Sequence, residues 1–243
     1  MSKRLQYFLI IPCIVLAFVL STVLAEVKEP AASENIDEQV QQFFDSHRWS
    51  WRDANVPEVD GRALHDIILE NGYKSALEIG TSTGHSTVWI AWALSKTGGK
   101  LITVEIDKYK YDQALAHFKE AGVAEYIDAR LADAHELVPE LEGPFDFVFC
   151  DADKDWYKNY LEAIEPKLTV GGCFTAHNVS KGSYPGSFGG RGRAGFRGGF
   201  GGRGGFGVGD FLEYARSFSN LETKVLGLQG SHGLSVSYKT AEK

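Results

Sequence analysis

The sequence predicts an α/β fold, a mostly parallel sheet with helices on both faces, and three observations predict it. Residues 76–84, Ala-Leu-Glu-Ile-Gly-Thr-Ser-Thr-Gly, form an apolar run that breaks into a turn bounded by Gly80 and Gly84, and an amphipathic stretch, 85–96, follows. That pattern is a buried strand, a tight turn and a helix. Apolar runs and helical stretches then alternate as far as residue 178, and strands separated by helices imply parallel pairing. The last two apolar runs, 221–226 and 234–238, are joined by residues 227–233, too few for a helical crossover. They must pair antiparallel or through a third strand between them.

In chain order, residues 1–25 stand apart: Lys3 and Arg4 precede an apolar run, and small residues lead to Ala25. A basic flank, an apolar stretch and a small-residue site describe a cleavable signal peptide. The rival is an uncleaved anchor, long enough to span a bilayer core of about 30 Å with little tilt. Either form would leave the domain exported, periplasmic or secreted, or held to the membrane by its N-terminal segment alone. Residues 26–60 read as a linker and an accessory helix over 36–46, with Ile36, Val40, Phe43 and Phe44 at helical spacing and Asn35 as its cap. Trp49 and Trp51 follow and are expected to plug a core edge.

The core covers 61–180. It opens with a helix over 62–70, ended by Asn71-Gly72, before the strand at Leu77 and Ile79 and the helix over 85–96. A strand over 100–105 and a helix over 109–121, stopped by Gly122, make the second unit. Next come a strand over 127–131, a short helix ending before Pro139, a strand over 145–150, a helix over 156–164 closed by Glu165-Pro166, and a strand over 172–176. Residues 181–209 are a Gly-, Arg- and Phe-rich insertion, and residues 210–243 complete the core with a helix over 210–218 and the last two strands.

An apolar content of 44% is enough for a sizeable core, and the formal charge is -7. Without residues 1–25, which carry Lys3 and Arg4 and no acid, the body is two units more negative still. An acidic body argues against a nucleic-acid partner gripping the domain, because phosphate binding needs a basic face. Cys13 falls in the leader and Cys150 and Cys173 in strands, which gives neither a disulfide framework nor metal-type spacing.

Ligands of parallel sheets gather at the carboxyl ends of the strands, and Gly80, Glu105, Asp133, Asp151 and His177 all fall there. At Gly80 and Gly84 backbone can approach a ligand, beside the free N–H groups of a helix start. Glu105 ends the next strand, roughly the twenty residues downstream at which such folds hold ribose hydroxyls. The turn lacks the Gly-x-Gly-x-x-Gly pyrophosphate pattern, so a nucleoside without phosphate suits it better, and S-adenosylmethionine is such a ligand. An ordinary strand-to-helix turn with a core-flanking Glu is the alternative. Asp151, Asp153 and Lys154 follow one strand, and His177 and Asn178 end the next. Adjacent strands lie about 4.8 Å apart, so Asp151, His177 and Asn178 could hold one divalent cation with Lys154 beside it as a base.

Four runs together resemble the cation-dependent O-methyltransferases of the catechol and caffeoyl-CoA type. They are Ala-Leu-Glu-Ile-Gly-Thr-Ser-Thr-Gly-His-Ser (76–86), Val-Glu-Ile-Asp (104–107), Asp-Ala-Asp-Lys-Asp-Trp-Tyr (151–157) and Gly-Gly-Cys-Phe-Thr-Ala-His-Asn (171–178). The resemblance implies the Rossmann-like, seven-stranded class I methyltransferase sheet with an antiparallel last strand. It implies S-adenosylmethionine as cofactor, with Glu78, Gly80 and Ser86 at its methionine end, Glu105 at the ribose, Ala134 by the adenine and Val56 covering the site. Thr81, Asp133 and Asp151 complete that set. The resemblance further implies a divalent cation, Mg²⁺, Mn²⁺ or another, on Asp151 and Asn178, and Lys154 as the residue that deprotonates the acceptor hydroxyl.

Two departures stand out. The family usually has Asp-Asn where this chain has His177-Asn178, which replaces a hard oxygen ligand with an imidazole and either biases the site away from Mg²⁺ toward Mn²⁺, Fe²⁺, Co²⁺ or Zn²⁺ or abolishes metal binding. Residues 181–209 carry Arg191, Arg193, Arg197 and Arg203 and no acid, whereas catechol-type members hold the second phenolic hydroxyl with an acidic residue there. That insertion is expected to be a disordered lid, with RNA contact or capture of an anionic acceptor as its rivals. The expected function is an S-adenosylmethionine-dependent O-methyltransferase acting on a small hydroxylated acceptor, phenolic or anionic, with a homodimer compatible with the chain. The competing expectation is a non-catalytic protein that binds S-adenosylmethionine, or RNA or anions through the insertion.

Overall fold

A computed structural model describes residues 32–51, 55–179 and 208–242. The expected signal or anchor and nearly all of the insertion lie outside the described residues. The chain divides into two compact units, Met1–Asn35 and Ile36–Lys243, and the sheet belongs to the second.

That sheet has seven strands: β1 (Ser75–Ile79), β2 (Lys100–Glu105), β3 (Ile127–Leu131), β4 (Phe145–Cys150), β5 (Leu168–His177), β6 (Leu221–Leu226) and β7 (Leu234–Lys239). Their order is β3-β2-β1-β4-β5-β7-β6. The first five pair in parallel, and β7 runs antiparallel between β5 and β6, so the two closing strands pair directly. The seven-stranded class I arrangement is therefore present.

The period of two in the central strands sorts the layers. Leu77, Ile79, Val148 and Phe174 face one side, where α5 (Ala134–Glu140), α6 (Tyr157–Ile164) and α7 (Val208–Ser217) cover them with Val138, Leu161, Ile164 and Phe211. Ala76, Phe147 and Phe149 face the other, against Leu64 and Ile68 of α2 (Glu58–Asn71) and Ile90 and Leu94 of α3 (His85–Thr97). On that side α1 (Ala32–His47) and α4 (Lys108–Glu120) add Phe43, Phe44, Ala114 and Phe118 around Trp89.

Glu78 is the one acid among these inward residues of β1, and it is fully buried. Hydroxyls of Ser86, Thr87 and Thr103 donate to its oxygens at 2.5, 2.5 and 2.6 Å. Thr103, having spent its proton on Glu78, accepts from Thr81 at 2.5 Å. Burial pushes the Glu78 carboxyl up to about 7, against the pull of those hydroxyls.

Several expectations need correction. Strand β5 starts at Leu168, not at residue 172, because Gly171 (φ 87°) sits in a register irregularity rather than at a boundary. Helix α5 continues through Pro139 to Glu140, held by the fully buried Val138. Trp49 is 84% exposed and plugs nothing, whereas Trp51 packs on His85 at 4.5 Å. The export or membrane-anchoring reading is not supported: among the described residues, which begin after the stretch that prompted it, no helix is long and apolar enough to cross a membrane. The helices there bury their apolar faces within the domain.

Two predictions follow from this packing. A Cβ on Gly61 would lie 2.3 Å from Cδ1 of Trp89, whose buried ring is stacked on Phe44 at 4.3 Å and has nowhere to go. Gly61→Ala gains about 1 kcal/mol of helix propensity but costs about 1–3 kcal/mol of overpacking at a rigid aromatic ring, so the urea midpoint falls. For Glu78 the folded value lies above the ordinary one, so its stabilising share is whole at low pH and is lost as pH rises toward 7. The stability of Glu78→Gln relative to the unaltered chain therefore rises between pH 5 and 7, approximate limits set by that linkage, as urea titrations at each pH will report.

Candidate active site

Strand order reverses at β1, whose neighbours are β2 on one side and β4 on the other. In open sheets a ligand crevice forms at such a point, outside the carboxyl ends of the strands. The register places Ile79 beside both Val104 and Cys150, and Cys150 beside Ala176, so the four chain segments that leave these strands emerge together.

The turn after β1 is fixed by its own backbone. Gly80 and Thr81 both donate N–H to the Val104 carbonyl at 3.1 Å, and Gly84 donates to Thr81 at 3.0 Å. Gly80 has φ 97°, and a Cβ there would stand 2.6 Å from the Asp151 carbonyl oxygen. Only glycine satisfies both conditions. Ser82, at φ 49°, donates its N–H to Glu105 Oε2 at 2.7 Å, while Oε1 accepts from Ile106 and Asp107 at 3.0 and 2.8 Å. Three backbone donors thus aim the Glu105 carboxylate.

A cavity of about 270 Å³ opens over this turn. Of the residues expected at a cofactor, Gly80, Glu105, Asp133, Ala134 and Asp151 line it. Ser82, which sequence reasoning did not single out, also lines it, and its hydroxyl is buried without a partner among the described residues. An orphan hydroxyl, an oriented carboxylate and a backbone floor suit a polar nucleoside. His135, Asp153 and Tyr160 close the far wall, with His135 Nε2 and Tyr160 Oη on the two oxygens of Asp153 at 3.1 and 3.0 Å.

Other expected residues lie elsewhere. Glu78, Thr81 and Ser86 form the buried hydroxyl network beneath the turn and do not line the cavity. Val56 lines a second cavity of about 230 Å³ with Trp51, His85 and Trp89. Its carbonyl accepts from His85 Nδ1 at 2.9 Å, and burial holds the His85 ring down to about 4, hence neutral.

Beside the main cavity, Asp151 anchors a chain of charges. Its Oδ1 accepts from Lys154 Nζ at 2.7 Å and its Oδ2 from His177 Nδ1 at 2.9 Å. The other ring nitrogen of His177 donates to Asp60 Oδ2 at 2.9 Å. Lys154 also donates to Tyr157 Oη, and that phenol bonds the His177 carbonyl at 3.2 Å. Burial works against charge on His177, but hydrogen bonds and attraction from Asp151 and Asp60 outweigh it and push the imidazole up to about 9. Burial likewise opposes charge on Asp151, and His177 and Lys154 nevertheless hold its carboxyl below the ordinary carboxylate value. Asp60 lies on α2, far from the strand ends in sequence, and was not expected here.

This arrangement does not fit the expected divalent cation on Asp151, His177 and Asn178. Each nitrogen of His177 points a proton at a carboxylate, so neither has a lone pair to offer a metal. Both Asp151 oxygens are engaged, and Asn178 is held at φ 58° outside the lining of the main cavity. Among the described residues no group of three His, Cys, Asp or Glu side chains is arranged to hold a metal ion.

Comparison with known proteins places these features in context. The model of the family described as O-methyltransferase matches residues 29–183. Caffeoyl-CoA O-methyltransferase 1 of Eucalyptus globulus is 32% identical over 146 residues, covering 58% of this chain and 58% of its own length. Flavonoid 3',5'-methyltransferase of Vitis vinifera is 31% identical over 156 residues, covering 62% and 66%. The match thus spans less than two thirds of these relatives. Among solved structures, the O-methyltransferase TomG of Streptomyces achromogenes, in complex with SAM, superposes with a TM-score of 0.65 at 25% identity over 93% of this chain and 96% of its own. These relatives give the export reading no support, and the family match begins at residue 29, beyond the stretch that prompted it. With the sheet order, the crevice and the match over residues 29–183 all in agreement, the chain belongs to the O-methyltransferase family.

Proposed function

We propose that the chain is an S-adenosylmethionine-dependent O-methyltransferase acting on a hydroxyl of a small acceptor. The observation that carries this reading is the nucleoside-shaped cavity at the strand-order reversal, with Lys154 tied to its rim through Asp151. The names of the relatives, caffeoyl-CoA and flavonoid methyltransferases, point to a phenolic acceptor.

Bound here, the cofactor supplies an electrophilic methyl group on a sulfonium. The chain's own residues do the rest. Glu105 accepts hydrogen bonds from the ribose hydroxyls with a carboxylate already aimed by three backbone N–H groups. Ser82 contributes the unpaired hydroxyl, and the bare backbone at Gly80 lets the ligand sit down on the turn. Lys154 rests as an ammonium against Asp151; once that ammonium has lost a proton to solvent, its amine takes the proton of the acceptor hydroxyl. With its proton removed, the acceptor oxygen would be the nucleophile for the methyl group that the bound cofactor would supply.

Two variants test these roles. Lys154→Ala should lower the rate of labelled methyl transfer to a panel of phenols by roughly 100-fold or more while leaving S-adenosylmethionine affinity within a few-fold by calorimetry. A Lys154→Ala enzyme with full activity removes Lys154 as the base. Glu105→Gln should weaken cofactor binding by roughly 10- to 100-fold, the worth of a charged hydrogen bond. Unchanged affinity would move the ribose away from Glu105.

A further inference from the structure

We propose, resting on the methyltransferase reading above, that this enzyme works without a resident divalent cation, because the Asp60–His177–Asp151 clamp closes the strand end where a metal ligand is expected. Position 177 is the discriminating residue: it ends β5, its side chain is 2% exposed, and both of its nitrogens are committed to carboxylates at 2.9 Å.

The charges balance without a metal. Asp60 and Asp151 bring two negative charges, and His177, with a proton on each nitrogen, and Lys154 bring two positive ones. Buried charges persist only when paired and hydrogen-bonded; each of these four has an oppositely charged partner, and the one polar atom left over is Asp60 Oδ1, buried without a hydrogen-bond partner among the described residues. A divalent ion entering here would have to strip a proton from His177, break the bond to Asp151 or Asp60, and leave surplus positive charge beside Lys154. Each step is costly in a buried site. His177 does not reach the main cavity, so it is a positioning residue: it holds the Asp151 carboxylate, and that carboxylate holds Lys154. Asp60 completes the clamp from α2 and also accepts the His232 N–H at 3.3 Å.

An aspartate at 177 would reverse the situation, gathering three carboxylates with no cation between them but Lys154. Oxygen ligands of that kind suit Mg²⁺ and Mn²⁺.

The test titrates MnCl₂ and MgCl₂ into the full chain by calorimetry, with thermal unfolding measured in parallel. The unaltered protein should give no saturable heat with either metal and no metal-dependent change in Tm. Its methyl transfer should stay within about two-fold after dialysis against EDTA. His177→Asp should bind Mn²⁺ at least about 10-fold more tightly than the unaltered chain and unfold at a higher temperature when Mn²⁺ is present. Saturable micromolar metal binding by the unaltered chain, or activity lost in EDTA and restored by Mn²⁺, overturns the proposal. A folded His177→Asp that binds no metal overturns the assignment of position 177 as what closes the site. Should that variant not fold, metal titration of the unaltered chain still decides. Absence of turnover on every acceptor would count against the methyltransferase reading, and the calorimetric result stands apart from it.

Discussion

Where the sheet reverses its strand order, the backbone leaving β1 meets the backbone leaving β4 with no room for a side chain between them. A Cβ on Gly80 would stand 2.6 Å from the carbonyl oxygen of Asp151, and the Asp151 N–H in turn donates to the Ile79 carbonyl at 2.9 Å. This contact makes the cavity floor out of main chain and sets the direction in which the Asp151 carboxylate leaves it. Lys154, His177 and, through His177, Asp60 are all placed by that one carboxylate. A shift of the two strand ends would therefore disturb the main cavity and the charge cluster together.

Glu78 and Asp151 are both buried within this small region, and the protein treats them in opposite ways. Glu78 is surrounded by hydroxyls alone, and burial raises its carboxyl to about 7. Asp151 is flanked by His177 and Lys154, and its carboxyl is held below the ordinary value despite comparable burial. The difference follows from the partners: neutral donors soften the desolvation of a carboxylate, whereas cations overcome it. Glu78 thus ties the β1 turn to β2 and α3 with little charge at stake. Asp151 instead keeps its charge between Lys154 and His177.

Local chemistry in the sequence announced most of the scaffold. Glycine at residues 72, 80, 84 and 122, each with positive φ, marked real turns and helix ends, and of the two arrangements left open by the short 227–233 link the structure has the direct antiparallel pair. The errors share a cause, which is that local signals do not report tertiary burial. Gly171 looked like a strand boundary and is an irregularity within one, and Pro139 looked like a helix stop although the burial of Val138 carries the turn past it. Of the residues placed by counting strand ends, Gly80, Glu105, Asp133 and Asp151 line the cavity and His177 does not, while Ala134, which also lines it, was expected from the family resemblance alone. Ser82 was missed because a serine in a turn is ordinary until its hydroxyl is seen buried and unpaired. Asp60 was missed because an acid in the first turn of a helix reads as a partner of the helix dipole, and only the fold brings it to His177.

His177 shows how one residue can change meaning with its neighbours. From the sequence it was a softer ligand in an otherwise oxygen-rich set; between Asp60 and Asp151 it is itself the cation. That has a consequence for Lys154. A lysine paired alone with a buried carboxylate would be the only compensation for that charge, and losing its proton would strand the acid. Here Asp151 divides its two oxygens, one to Lys154 and one to His177, so the carboxylate keeps a charged partner when Lys154 gives up its proton. Tyr157 offers Lys154 a second, uncharged contact at the same time. The clamp thereby separates holding the lysine from neutralising the carboxylate, which is what the base role proposed for Lys154 requires.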